Sequence, residues 1–68
     1  MRERGWIARW FSERGFGFVR RPVGGPDVFV HVRDLQDGRQ PGVGDEVEYT
    51  IVQQHKGPRA THVVLVSE

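Results

Sequence analysis

Arg14-Gly15-Phe16-Gly17-Phe18-Val19 is the stretch on which the fold of this chain turns. As a β-strand its side chains alternate between two faces. Phe16 and Phe18 then point one way, and Gly15, Gly17 and Val19 the other. Val28-Phe29-Val30-His31-Val32 alternates with the opposite emphasis: Val28, Val30 and Val32 form one face, Asp27, Phe29 and His31 the other. In a chain of 68 residues, two neighbouring strands cannot bury both of their faces. The valines are the ordinary core-facing set, so Phe29 and His31 are expected on the wet side. If the two strands pair as a hairpin, Phe16 and Phe18 join them there. A solvent-facing row of flat rings beside basic residues is a platform for unpaired bases.

On either side of this pair the chain continues to read as strands and turns. Residues 6–11 form a first strand in which Ile7 opposes Trp6, Ala8 and Trp10. Ile7 is its natural core residue, and simple alternation puts Trp10 on the outer face. Residues 1–4 are a charged lead with nothing to bury, and Ser12-Glu13-Arg14 is a polar turn. Residues 20–26, with Pro22, Gly24, Gly25 and Pro26, are a loop. The second aromatic strand covers 27–32. Residues 33–44 are polar, with room for one helical turn at Arg33-Asp34-Leu35. A fourth strand over 45–52 sets Val47, Tyr49 and Ile51 on one face; 53–58 is a loop and 59–66 the last strand. Short strands separated by turn signals, without an amphipathic helix, predict an all-β barrel or small sandwich. The expected core is Ile7, Val19, Val28, Val30, Val47, Ile51, Val63 and Leu65.

Composition narrows the function. The absence of cysteine removes disulfides and thiolate metal sites. No apolar run approaches the roughly 20 residues that span a bilayer, and the N-terminus lacks a signal-peptide core. A soluble, cytoplasmic protein without a membrane partner is expected. The net charge of +1 conceals an asymmetry. Residues 1–33 carry seven arginines against three acids; residues 34–68 carry three bases (Arg39, Lys56 and Arg59) against six acids. Six of the seven aromatic residues lie in the basic half, an interleaving that fits single-stranded nucleic acid better than either feature alone. Nine of the ten bases are arginine, which stacks as well as pairing with phosphate.

Catalytic readings find little support. His31 has no partner at ligand spacing, since His55 and His62 lie far along the chain. Asp27 and Glu13 make no credible acid pair, and no lysine-plus-hydroxyl motif follows Gly15 and Gly17 to make a phosphate loop. No nucleophile, base and orienting group converge. Neither an enzyme nor a bound metal, cofactor or small-molecule substrate is expected. Aromatics alternating along a strand are core residues more often than ligand platforms, but here the opposite faces already supply a core. Each large apolar side chain left in water forgoes about 1.5–3 kcal/mol. A domain with total stability of order 5 kcal/mol would not leave three or four exposed without use.

Several stretches resemble the cold-shock domain. Arg14-Gly15-Phe16-Gly17-Phe18-Val19 is similar to that family's first ribonucleoprotein motif, and Val28-Phe29-Val30-His31-Val32 to its second. Lys56-Gly57-Pro58-Arg59-Ala60 resembles the loop before the last strand, and Gly42-Val43-Gly44-Asp45-Glu46-Val47 the glycine-led start of strand four. The resemblance spans about residues 5–66. It implies one domain over 1–68, a small five-stranded antiparallel OB-type β-barrel, monomeric, that binds single-stranded RNA and single-stranded DNA. It also implies an RNA chaperone role in cold adaptation or antitermination. The RRM fold shares much of the first motif, but it needs two helices and carries its second motif upstream of the first.

The candidate site follows from the residues and the resemblance together. Bases stack on Phe16, Phe18, Phe29, His31 and Trp10, while Arg9, Arg14, Lys56 and Arg59 meet phosphates; Gly57 and Pro58 border the groove, and Phe11, Asp27 and Arg39 complete the set. Three departures from the family pattern stand out. Val32 replaces the usual phenylalanine after the histidine. The loop over 33–44 is short and lacks an aromatic, with Arg39 as the substitute. The spacing from Trp10 to Phe16 is one residue short. Either the first turn has lost a residue, or Arg9 takes the tryptophan position and Trp10 its neighbour's. Two other functions share the same features: an OB-type module in DNA replication or repair, and a protein-interaction module that docks a partner on the aromatic face.

Overall fold

Strands rich in β-branched residues on one side curl into a closed sheet when no helix is available to cover that apolar face. The computed structural model, which describes residues 2–66, has this form. Its strands are β1 (Arg2–Phe11), β2 (Phe16–Arg20), β3 (Val28–His31), β4 (Glu46–Gln54) and β5 (Gly57–Leu65), with one 3-10 turn at Val32–Asp34. They close in the order β1-β2-β3-β5-β4. β1 pairs with both β2 and β4, which lets the chain's longest strand bridge the two halves of the barrel.

The five-stranded barrel agrees with the sequence reading, with four corrections. The ladder is not antiparallel throughout: β3 and β5 meet in parallel, with Phe29 opposite Arg59, because the 3-10 turn and the loop after it carry the chain across the barrel end. Residues 2–4 are not an idle lead; they extend β1 against Tyr49, Glu48 and Thr50 of β4, while Met1 lies outside the described residues. The expected loop over 53–58 shrinks to His55 and Lys56, since Gln53 pairs with Pro58 and Gln54 with Gly57. Pro58 is compatible with that position because β5 pairs there on one side only. Val32 leaves the strand for the 3-10 turn but still packs against the core.

The core contains Ile7, Val19, Val28, Val30, Val47 and Val63, as expected, joined by Leu35, Tyr49 and Ala60. Ile51 and Leu65 are only half-buried at its edge. Leu35 enters from the polar loop because that loop is pinned to β5: Gln36 N–H donates to the Val63 carbonyl at 2.8 Å. β5 carries a bulge opposite Tyr49, where His62 adopts φ 51, and its carbonyl accepts from the Arg2 guanidinium at 2.7 Å.

Tyr49 fills the space that Gly5 leaves. A Cβ at Gly5 would stand 2.7 Å from the Tyr49 hydroxyl and 2.9 Å from Val19. The hydroxyl is buried and has no hydrogen-bond partner among the described residues. Burial, reinforced by the Glu3 carboxylate and opposed by Arg21, pushes its pKa above the ordinary 10.0. The folded state therefore keeps this proton at pH values where the unfolded chain gives it up, so stability is lost as pH rises above 10.0. Tyr49→Phe should remove that alkaline component and, at neutral pH, match or exceed the parent by about 1 kcal/mol. Urea unfolding at neutral and alkaline pH measures both effects. An unchanged alkaline loss in the variant would refute the assignment.

Candidate nucleic-acid interface

The placement of the aromatic residues depends on one irregularity in β1. Ile7 pairs with Val19, but the next pairs are Arg9 with Phe18, Trp10 with Gly17 and Phe11 with Phe16. Ala8 is therefore an extra residue in β1, a β-bulge that shifts everything after it by one position. Because the side-chain period of a strand is two, this shift exchanges the faces. Arg9 and Phe11 turn outward and Trp10 turns inward, which corrects the expectation from simple alternation. The Trp10 ring packs against the core and over Gly17. Its Nε1–H donates to Gln40 Oε1 at 2.8 Å, tying the long loop to the barrel end.

On the outer face the register sets Phe16 opposite His31 and Phe18 opposite Phe29. The rings lie against one another: Phe11 to Phe16 at 5.2 Å between centroids, Phe16 to Phe29 at 5.8 Å, Phe18 to Phe29 at 6.0 Å and Phe29 to His31 at 6.5 Å. All five are at least partly exposed, Phe11 the most at 39%. None is sealed in the interior. His31 is held by the turn that follows it. Its Nδ1 accepts from Arg33 N–H at 3.1 Å, and its own N–H donates to Asp34 Oδ2 at 3.2 Å. Beside Phe18 and Phe29 the β4–β5 hairpin folds over to leave a cleft of about 740 Å³, lined by Lys56, Gly57, Pro58, Arg59, Gln54 and His55.

Ion pairing sorts the cations into two groups. Arg2 and Arg4 meet Glu48 and Glu46, Arg20 meets Asp27 at 3.3 Å, Arg21 meets Glu3 at 2.9 Å and Arg59 meets Asp34 at 3.0 Å. Among the described residues Arg9, Arg14, Arg33, Arg39 and Lys56 have no carboxylate partner, and all five are exposed. Arg9 shares the outer face with Phe18, Arg14 stands in the turn between Phe11 and Phe16, and Lys56 lines the cleft.

The structure thus brings Arg9, Phe11, Arg14, Phe16, Phe18, Phe29, His31, Lys56, Gly57, Pro58 and Arg59 to one side. Asp27 continues the same outer row but is bonded to Arg20. Arg39 is placed elsewhere, in a separate cleft with Asp45, Glu46 and Leu65, because its loop is pinned to β5. Gln54 and His55 line the aromatic cleft although the sequence reading did not assign them to the site. Their position next to Lys56-Gly57-Pro58 was the available signal.

Comparison with known proteins agrees with this geometry. Residues 3–66 match the family model described as the 'Cold-shock' DNA-binding domain. The chain is 43% identical over 58 residues to cold shock protein ScoF of Streptomyces coelicolor, covering 81% of this chain and 87% of that one. It is 43% identical over 61 residues to the cold shock-like protein CspI of Escherichia coli, covering 85% and 87%. The solved structure of drosophila Unr CSD456 superposes with a TM-score of 0.82 at 29% identity. That match covers 98% of this chain and 27% of the longer one.

Gly17 is the point where platform and core are closest. A methyl group there would collide with the Arg9 carbonyl and the Trp10 ring. Gly17→Ala should therefore cost about 1–3 kcal/mol and displace the indole, which denaturant unfolding and tryptophan emission read together. A variant with unchanged stability and emission would contradict the inward placement of Trp10.

Proposed function

Because the chain belongs to the cold-shock domain family, whose members bind nucleic acids, we propose that it binds single-stranded RNA and DNA by stacking unpaired bases on the outer aromatic face. The observation that carries this reading is the row Phe11, Phe16, Phe18, Phe29 and His31, half-exposed on a barrel whose interior is already filled. Arg9, Arg14 and Lys56, unpaired and exposed beside the rings, supply the phosphate contacts. Trp10 acts from beneath as support rather than as a stacking surface.

Each base–aromatic stack contributes roughly 1–3 kcal/mol. Three or four of them, less the ordering of a flexible strand, correspond to micromolar to submicromolar binding. Sequence preference is mild because every base has a π-face, and a duplex competes poorly because its base faces are hidden. Binding only the unpaired form shifts RNA folding by mass action, which is the physical content of RNA chaperone activity in cold shock. The protein works by binding rather than by catalysis, as a monomeric single domain, in the cytoplasm. No helix among the described residues is long and apolar enough to cross a membrane.

Fluorescence anisotropy of a labelled oligo-pyrimidine, as RNA and as DNA, tests this reading. With three or four phosphates neutralised, log K against log salt should have a slope of about −2 to −3. Phe16→Ala, Phe18→Ala and Phe29→Ala should each weaken binding roughly 5- to 150-fold. Equal affinity for the matched duplex, or full affinity in all three variants, would overturn it.

A further inference from the structure

Arg59 differs from the other basic residues around the platform, because its charge is already committed. Its Nε donates to Asp34 Oδ2 at 3.0 Å, and the same oxygen accepts from His31 N–H at 3.2 Å. The pair is sheltered, with the two side chains 28% and 12% exposed. Arg59 stands opposite Phe29 across the parallel β3–β5 ladder, and its guanidinium carbon lies 5.9 Å from the Phe29 ring centroid. Lys56, in the same cleft, is exposed and has no carboxylate partner among the described residues.

We propose that Arg59 is a base-stacking residue, not a phosphate contact, and that the cleft it forms with Phe18 and Phe29 holds one unpaired base. This rests on the single-strand reading above and adds a division of labour to it. A guanidinium is planar and delocalised, and it stacks on ring faces. Asp34 cancels most of the field that would draw a phosphate and, through the Nε bond, restricts the orientation of the plane. Lys56, a compact charge on a flexible stem, is the cleft's phosphate contact.

Two substitutions separate shape from charge. Arg59→Lys keeps the charge and can still meet Asp34 but has no plane; Arg59→Gln is flat and uncharged. Both are assayed by anisotropy with a labelled oligo-pyrimidine at several salt concentrations, after circular dichroism confirms a folded barrel. Arg59→Lys should bind about 5-fold or more weakly, Arg59→Gln should lose less, and both should keep the parent's salt slope. Lys56→Ala should flatten that slope by about 0.7. The reverse order, with Arg59→Lys close to the parent and Arg59→Gln weaker with a slope flatter by about 0.7, would overturn the assignment while leaving single-strand binding intact. Failure of the parent protein to bind single strands would overturn both.

Discussion

The interior of this barrel is small enough to be filled completely by a few β-branched residues, one leucine, one alanine and one tyrosine. That limit on volume is what sends the phenylalanines outward. Val19, Val28 and Val30 occupy the inner row of β2 and β3, so the alternate row, with Phe16, Phe18, Phe29 and His31, has only solvent or a ligand to meet. Packing interiors are close to crystal density, and the added volume of even one ring would force strands apart. The exposed rings cost hydration free energy that a marginal domain can ill spare, which is the physical reason to read them as a binding surface.

Within this constraint, strand register decides which rings share the surface. The extra residue at Ala8 rotates the end of β1 by one position, bringing Arg9 and Phe11 to the platform and turning Trp10 inward against Gly17. The second irregularity, opposite Tyr49, bends β5 so that Arg59 arrives beside Phe29 while Val63 still reaches the core. Bulges of this kind increase local twist. Here they let nearly straight sequence patterns close into a barrel and aim side chains at one face.

Electrostatics divides labour among ten cations. Five arginines are held by carboxylates on neighbouring strands and turns. The exposed pairs of Arg2, Arg4 and Arg20 contribute little stability each, but all five remove those charges from competition for a polyanion. Of the cations left over, Arg9, Arg14 and Lys56 stand at the aromatic face, whereas Arg39 lies in a separate cleft. The excess of basic residues in the first half of the chain therefore overstates the positive surface: Arg2, Arg4, Arg20 and Arg21 belong to the frame of the barrel.

Sequence alone was sufficient for the all-β class, the inward valines and the outward Phe16, Phe18, Phe29 and His31, because a two-residue period read over a regular hairpin leaves only one way to bury Val19, Val28 and Val30. It was also sufficient for the mixture of basic and aromatic residues on that outer face. It was insufficient where a residue's environment is set by a distant segment. The direction of Trp10 depends on a bulge that no local pattern marks. The pairing of Arg59 with Asp34 joins residues brought together only by the parallel β3–β5 contact. The shelter given to Leu35 and the separation of Arg39 both follow from a loop anchored to β5. Alternation is a local property of the backbone and survives in any strand, whereas register and charge pairing arise from closing the barrel, so only the tertiary structure decides them.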